Sequence, residues 1–399
     1  MDTILVINSG SSSIKYQVIA LPGDARPVRG VLEGIGGTRA QLTHACDGRV
    51  PQVRTVDAPD HATGLDRIFA LLGDPALTGT LRLRAVGHRI VHGGGAFTGP
   101  VRLDDAAIAA LEALRTLAPL HNAANLAGIR AARIHLPGTP QVAVFDTAFH
   151  HDLPETARLY ALPLDLQRRL GIRRYGFHGL SHQAVMLATA RHLGQAAETL
   201  KLVSLHLGNG ASACAIRHGR SVDTSMGYTA LEGLVMGSRC GDLDPALPGL
   251  IAEVERLSGT QLSDLLNRQS GLLGLCGDND MRRIETRMAA GDSDARRAFD
   301  LFCHRARQYV GAYFAVLGGI DALVFTGGIG EHSAAVRAAV CADLGALGLA
   351  VDPVRNATPG DGTRVISPPD TGCKILVVPA DEESMIARAT YDCLDGAPP

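Results

Sequence analysis

The chain is 399 residues long, with 46% hydrophobic and 20% charged residues, a length that favours two domains and a composition that excludes disordered and fibrous classes. Its formal net charge of -2 supplies no broad basic field for a nucleic-acid backbone or an anionic membrane, so neither is an expected partner and any phosphate must be bound locally. The eight cysteines form no Cys-x-x-Cys pair or zinc spacing and read as reduced thiols; with no signal-like start and no apolar run of membrane-spanning length, the protein is expected to be cytoplasmic.

In chain order, Ile4 to Ile7 reads as a short apolar strand that stops at the polar turn Asn8 to Ser13 and resumes as strand from Lys15 to Leu21, the pattern of a hairpin. Gly87-His88-Arg89-Ile90-Val91-His92-Gly93-Gly94-Gly95 sets an arginine in a strand-like run beside a glycine-rich turn. A helical pattern covers Asp105 to Thr116, Leu120-His121-Asn122 interrupts an aliphatic helical region, and the strand Gln141 to Phe145 ends at Asp146. Tyr175 to His182 brings His178 into a glycine-flanked turn before a helix from His182 to Leu193.

The opening theme then returns, because Lys201 to Leu207 breaks into Gly208-Asn209-Gly210-Ala211-Ser212 and continues as strand from Ala213 to Arg217. Met236-Gly237-Ser238-Arg239-Cys240-Gly241 frames a second arginine with glycines, and a helix is expected over Asp294 to Leu317. Ala322 to Phe325 runs into the loop Thr326-Gly327-Gly328-Ile329-Gly330-Glu331 ahead of a helical pattern from Ala334 to Leu344, where unpaired amides and the helix dipole favour an anion. Val351 to Pro369 reads as a surface excursion, and a last helix begins near Glu383. Strands alternating with helices predict an α/β architecture with mixed sheets, divided near residue 150.

Neither common nucleotide signature is present: there is no Gly-x-x-x-x-Gly-Lys-Ser/Thr, and no Gly-x-Gly-x-x-Gly loop with a downstream ribose acid. Zinc is rejected for His178-x-x-x-His182, since the zincin glutamate is missing and a glycine lies between the two. What remains is a set of parts, two arginines, several histidines and an acid, that suits phosphoryl transfer. Guanidinium forks match equatorial phosphoryl oxygens, and a histidine adds a compact donor. Taken singly, each of these residues is better explained as packed or ion-paired.

Taken together, Asn8-Ser9-Gly10-Ser11-Ser12-Ser13-Ile14-Lys15-Tyr16, Gly176-Phe177-His178-Gly179, His206 to Ser212, Asp223-Thr224-Ser225-Met226-Gly227-Tyr228 and Thr326 to Glu331 resemble the acetate kinase family along essentially the whole chain. The resemblance implies the two-lobed, duplicated, ribonuclease-H-like fold shared by acetate and sugar kinases, heat-shock chaperones and actin. It implies an N-terminal lobe over 1–149, to which a C-terminal helix over 384–399 returns, and a nucleotide-binding lobe over 150–383, with ATP in the cleft between them. It further implies a homodimer, Mg2+ with Mn2+ as a substitute, and reversible transfer between ATP and acetate giving ADP and acetyl phosphate. The alternative on the same fold is a kinase preferring propionate or butyrate.

Carried over by motif, the resemblance makes Asp146, Arg89, His178 and Arg239 catalytic, with Val91, Leu120 and Phe177 joining Arg89 around the acyl substrate. Asn8 and Glu382 would hold the metal. Lys15, His206, Leu207, Gly208, Asn209 and Gly210 would line the phosphates, while Asp280, Met281, Arg282, Gly328, Ile329 and Gly330 would hold the nucleoside. The chain departs from the family pattern at Ala230, where proline is usual, at His332 after the glycine stretch, and at Asp381 before the glutamates.

Overall fold

The structure is a computed structural model that describes residues 2–10, 12–37, 39–78, 82–114 and 119–396, with the side chains of 76, 77 and 119–121 left aside. The chain divides into two compact units, Met1–Ala148 with Asp381–Pro399 and Phe149–Ala380. The division therefore falls one residue before the expected first boundary and three before the second, which moves Glu382 and Glu383 out of the nucleotide-binding lobe and into the first unit. The reason is local: the C-terminal helix starts at Glu382, capped by Asp381, whose carboxylate accepts from the Ser384 amide and pairs with Arg26 at 2.5 Å. That cap explains the departure at Asp381 as a helix start.

The first unit is built on the strands β1 (Asp2–Ser9), β2 (Ser13–Leu21), β3 (Ala25–Glu33), β4 (Ala40–Cys46), β5 (Gln52–Val56), β6 (Leu83–Ile90), β7 (Val101–Arg102) and β8 (Gln141–Phe145), in the order β5-β4-β3-β2-β1-β6-β8-β7. β1 is central, and its uninterrupted apolar run suits a strand covered on both faces. Leu5, Ile7 and Val86 pack with Leu65, Ile68, Ala131 and Ala132 of the helices His61–Leu72 and Pro119–His135. Gly87, next along β6 and so on the opposite face, lies against Ile386 and Thr390 of the C-terminal helix.

The second unit repeats the plan with β9 (Lys201–Leu207), β10 (Ala211–Arg217), β11 (Arg220–Thr224), β12 (Ala322–Thr326), β13 (Arg364–Val365) and β14 (Lys374–Val377), ordered β11-β10-β9-β12-β14-β13. In both units a three-stranded antiparallel meander, β1-β2-β3 or β9-β10-β11, meets two parallel strands, β6-β8 or β12-β14, beside its first strand. The repeated polar turns are hairpin tips, as the sequence pattern predicts: Ser9 pairs with Ile14 and Leu207 with Ala211.

Four segments differ from the sequence reading. Thr326 to Glu331 is not an open loop, since Gly327–His332 is already helical and Ser333 then caps Ala334–Cys341. Gly327 has φ +75, and a Cβ on it would stand 2.8 Å from the Leu207 carbonyl oxygen, so the glycine serves close packing onto β9. The helix expected from His182 starts at Gly179, and the stretch from Val351 to Pro369 contains the helix Pro353–Ala357 and β13. The helix from Asp105 runs to Ala113, while residues 115 and 116 of its expected end lie outside the described residues.

A side chain at Gly87 would meet Thr390 and come within 2.9 Å of Ile386 Cγ2, and both belong to the helix that covers this face of the sheet. Gly87→Ala is expected to destabilise the first unit by about 1 to 3 kcal/mol through overpacking. Equilibrium denaturation checks this, and an unchanged midpoint would show that the helix does not seat on β6 as described.

Candidate active site

In the first unit the carboxyl ends of β1, β6 and β8 lie side by side, which brings Asn8, Arg89 and Asp146 together from distant parts of the chain. Arg89 grips Asp146 with two prongs, Nε at 2.9 Å and Nη2 at 2.6 Å. Its Nη1 donates to Asn8 Oδ1 at 3.1 Å and lies 3.5 Å from Glu382. Burial opposes the charge on Arg89, but Asp146 and then Glu382 outweigh it, and the guanidinium pKa is raised. Burial also pushes the Asp146 carboxyl up, against the pull of Arg89.

Asn8 Nδ2 is 3.5 Å from Glu383, so three carboxylates gather about one guanidinium and the cluster carries surplus negative charge. Oxygen donors with surplus negative charge suit Mg2+. Among the described residues no group of three or more His, Cys, Asp or Glu is placed to cage a metal by itself.

Two residues that the sequence reading gave no role hold this cluster in place. Asn125 donates to the Ser9 carbonyl at 2.9 Å and accepts from the Val91 amide at 3.1 Å, tying the turn after β1 to the turn after β6. Thr147 Oγ1 accepts from the Gly93 amide at 3.2 Å. The only sequence signal for Asn125 is a second amide, three residues after Asn122, in the apolar first half of the helix.

In the second unit the turn Gly208 to Gly210 after β9 is the meeting point. The Gly237 amide donates to the Asn209 carbonyl at 2.9 Å, Asn279 Nδ2 donates to Asn209 Oδ1 at 3.3 Å, and Gly327 packs on Leu207. A Cβ built on Gly210 would stand 3.4 Å from the His178 ring and 3.9 Å from Arg239 Nη1, so both side chains flank the same bare stretch of backbone. His178 has φ +55, and its ring stacks on His206 at 4.2 Å between centroids. A non-glycine residue held in the left-handed region marks a position fixed by its surroundings.

Arg239 differs from Arg89 in its partners. Nη1 donates to the Ala230 carbonyl at 2.9 Å and lies 3.9 Å from Met236 sulfur. Among the described residues no carboxylate pairs with it, and burial lowers its pKa. Ala230, where the sequence departs from the family, thus holds the arginine through its backbone.

The remaining expected site residues are placed as follows. Lys15 is opposite Asn8 in the β1–β2 register and exposed, so it leaves the sheet on the face that Asn8 occupies. Asp280 caps the helix Met281–Ala289 and binds Arg282 at 2.6 Å, while Met281 is buried. Gly328, Ile329 and Gly330 lie within the helix Gly327–His332, and His332 Nδ1 meets the Gly328 carbonyl at 3.0 Å. Phe177 is buried with its carbonyl on His150, and the side chain of Leu120 lies outside the described residues.

Residues 3–388 match the model of the Acetokinase family. The acetate kinase of Streptomyces avermitilis is 50% identical over 390 residues, covering 97% of this chain and 96% of the relative. The crystal structure of Porphyromonas gingivalis acetate kinase superposes with a TM-score of 0.91 at 40% identity, over 99% of this chain and 100% of that one. A propionate kinase from Francisella tularensis gives 0.92 at 38% identity, over 98% and 100%.

Three histidines near these clusters are buried, and each has its pKa lowered, chiefly by desolvation: His88 and His150 to about 4, His182 well below the usual value. The unfolded chain, with ordinary histidines near 6.5, binds more protons than the folded one between about 4 and 6.5. Their contribution to stability is therefore complete above that window and is lost as pH falls through it, at up to ~1.4 kcal/mol per pH unit for each group. Denaturation midpoints measured from pH 7 to 4.5 should fall; a flat profile would mean that these rings take up protons in the fold as readily as in the unfolded chain.

Proposed function

Because this chain belongs to the acetokinase family, we propose that the two clusters divide the work of a reversible phosphoryl transfer between ATP and acetate. Its activity is that of an acetate kinase. In the forward direction a carboxylate oxygen of acetate bonds to the γ-phosphorus while the bond to the bridging oxygen of ADP breaks, giving acetyl phosphate and ADP. Acetate is already ionised at neutral pH, so no strong base is needed and the tasks are positioning and charge neutralisation.

The observation that carries this reading is the unpaired charge of Arg239. A partly buried guanidinium with only neutral acceptors, the Ala230 carbonyl at 2.9 Å and the Met236 sulfur at 3.9 Å, is costly until an anion arrives. The phosphoryl group is that anion. Arg89, preset by Asp146, orients the carboxylate and shares the developing charge, and His178 donates a hydrogen bond to the transferring group. The family resemblance assigns Val91, Leu120 and Phe177 to the methyl end of the acyl substrate.

Asn8 and Glu382 would hold Mg2+, with Mn2+ as a substitute, which when bound neutralises phosphate charge. Lys15 and the stretch His206, Leu207, Gly208, Asn209 and Gly210 line the phosphates of ATP; Asp280, Met281, Arg282, Gly328, Ile329 and Gly330 hold the nucleoside. The enzyme acts in the cytoplasm, where both substrates are met, and as a homodimer. Supporting the dimer, the helix Ala246–Val254 buries none of its residues and leaves Leu247, Leu250 and Val254 exposed at 39%, 56% and 66%.

Arg239→Ala is expected to lower kcat by roughly a hundredfold or more with the fold intact, the scale of a lost transition-state charge contact. Near-normal turnover in a folded variant would remove Arg239 from the mechanism and the main support for this reading. Acyl specificity is a separate matter. Alanine at 230 leaves a shorter and less rigid wall than proline would, and about one methylene of tolerance is worth 1 to 3 kcal/mol, so propionate should come within roughly tenfold of acetate in kcat/KM. Ala230→Pro keeps the carbonyl that holds Arg239 and should depress propionate use more than acetate use; an unchanged ratio in a well-folded enzyme would end the widened-pocket account.

A further inference from the structure

The second unit contains a line of hydrogen bonds that the roles above do not use. Ser204 sits within β9, fully buried, with Oγ 3.0 Å from Nδ1 of His182. His182, in the first turn of the helix Gly179–Leu193 and equally buried, places Nε2 2.8 Å from Ser212 Oγ. The same hydroxyl is 2.9 Å from Nδ1 of His178. Each link joins a hydroxyl to a ring nitrogen, and either atom of such a pair can donate.

Two constraints choose the direction. Burial keeps His182 neutral, so its ring carries one N–H. Among the described residues Ser204 Oγ has His182 Nδ1 as its one partner. Were that nitrogen protonated, the Ser204 hydroxyl hydrogen would be buried with no acceptor, which costs more than leaving an oxygen lone pair unfilled. Ser204 therefore donates to His182, His182 Nε2–H donates to Ser212, and Ser212 donates to His178 Nδ1. In a neutral His178 ring the hydrogen is then left on Nε2.

We propose that Ser204, His182 and Ser212 form a one-way relay that fixes His178 as the Nε2–H tautomer, which makes them positioning residues for phosphoryl transfer; the inference rests on His178 being the donor assigned above. The ring is also held against rotation. The carbonyl of Phe177, next in the chain, accepts from His150 Nε2 at 3.0 Å, and His206, stacked on His178 at 4.2 Å, is itself held through Nδ1 by Ser181 Oγ at 2.7 Å. The opposite tautomer would turn a lone pair toward anionic phosphoryl oxygens and replace an attraction with a repulsion.

The full-length protein, labelled with 15N-histidine, allows a direct test at neutral pH, because two-bond 1H–15N correlations distinguish the tautomers. His178→Gln identifies the signals by their loss. The wild-type ring is expected to be Nε2–H; Ser212→Ala should mix the tautomers and lower kcat roughly tenfold or more, the scale of a lost orienting group, with KM for ATP and acetate within about twofold. Ser204→Ala should act in the same direction more weakly, and it serves if Ser212→Ala does not fold. An Nδ1–H ring in the wild type overturns the relay without any variant, as does an unchanged tautomer in folded Ser212→Ala. Normal turnover in His178→Ala would instead defeat the donor assignment, which the NMR measurement does not depend on.

Discussion

Parallel strands that stop side by side are the constraint from which both clusters follow. Neighbouring parallel strands cannot be joined by a tight turn, so the chain must travel back through a helix before the next one starts. Whatever follows the carboxyl ends then gathers at one edge of the sheet. In the first unit this assembles Asn8, Arg89 and Asp146, although β1 and β8 are separated by most of the unit. In the second it assembles the turn after Leu207 and the helix after Thr326, because β9 and β12 are paired in parallel through Thr326 and His206.

Within that frame the two arginines are set for different work by their counter-ions. Arg89 is locked into a bidentate pair before any substrate binds, which fixes its position at the cost of much of its free charge. Arg239 is fixed by a neutral carbonyl instead and keeps its charge for an incoming anion. The histidines divide similarly. His88, His150 and His182 are buried and neutral, and His150 and His182 brace the neighbourhood of His178 through Phe177 and Ser212. In a low-dielectric setting such neutral hydrogen-bonded groups orient a donor without adding a buried charge.

Much of the fold was legible because its signals are local. An apolar run ending in a small polar turn and resuming as strand is a hairpin wherever it occurs, and meeting it at Asn8 and again at Gly208 revealed the duplication. The residues that went unassigned are those whose work depends on distant partners. Asn125 ties together two turns far from it in sequence, and Ser204 and Ser212 look like ordinary strand serines until the histidines facing them are known. The glycine stretch at Gly327 was read as an open loop because glycine marks loops more often than helices. Its helical form depends on how closely it packs against Leu207.

The sequence by itself determined the α/β class, the repeated hairpin, the family and the residue types available for phosphoryl transfer, since periodicity, turn chemistry and motifs are written in short stretches of chain. Only the tertiary structure decided that Arg89 is neutralised and Arg239 is not, that Asp381 is a helix cap, and which nitrogen of His178 faces Ser212. Those are properties of pairs of groups brought to within about 3 Å by folding, and charge, desolvation and hydrogen-bond direction have no value for either member of a pair until the other is in place.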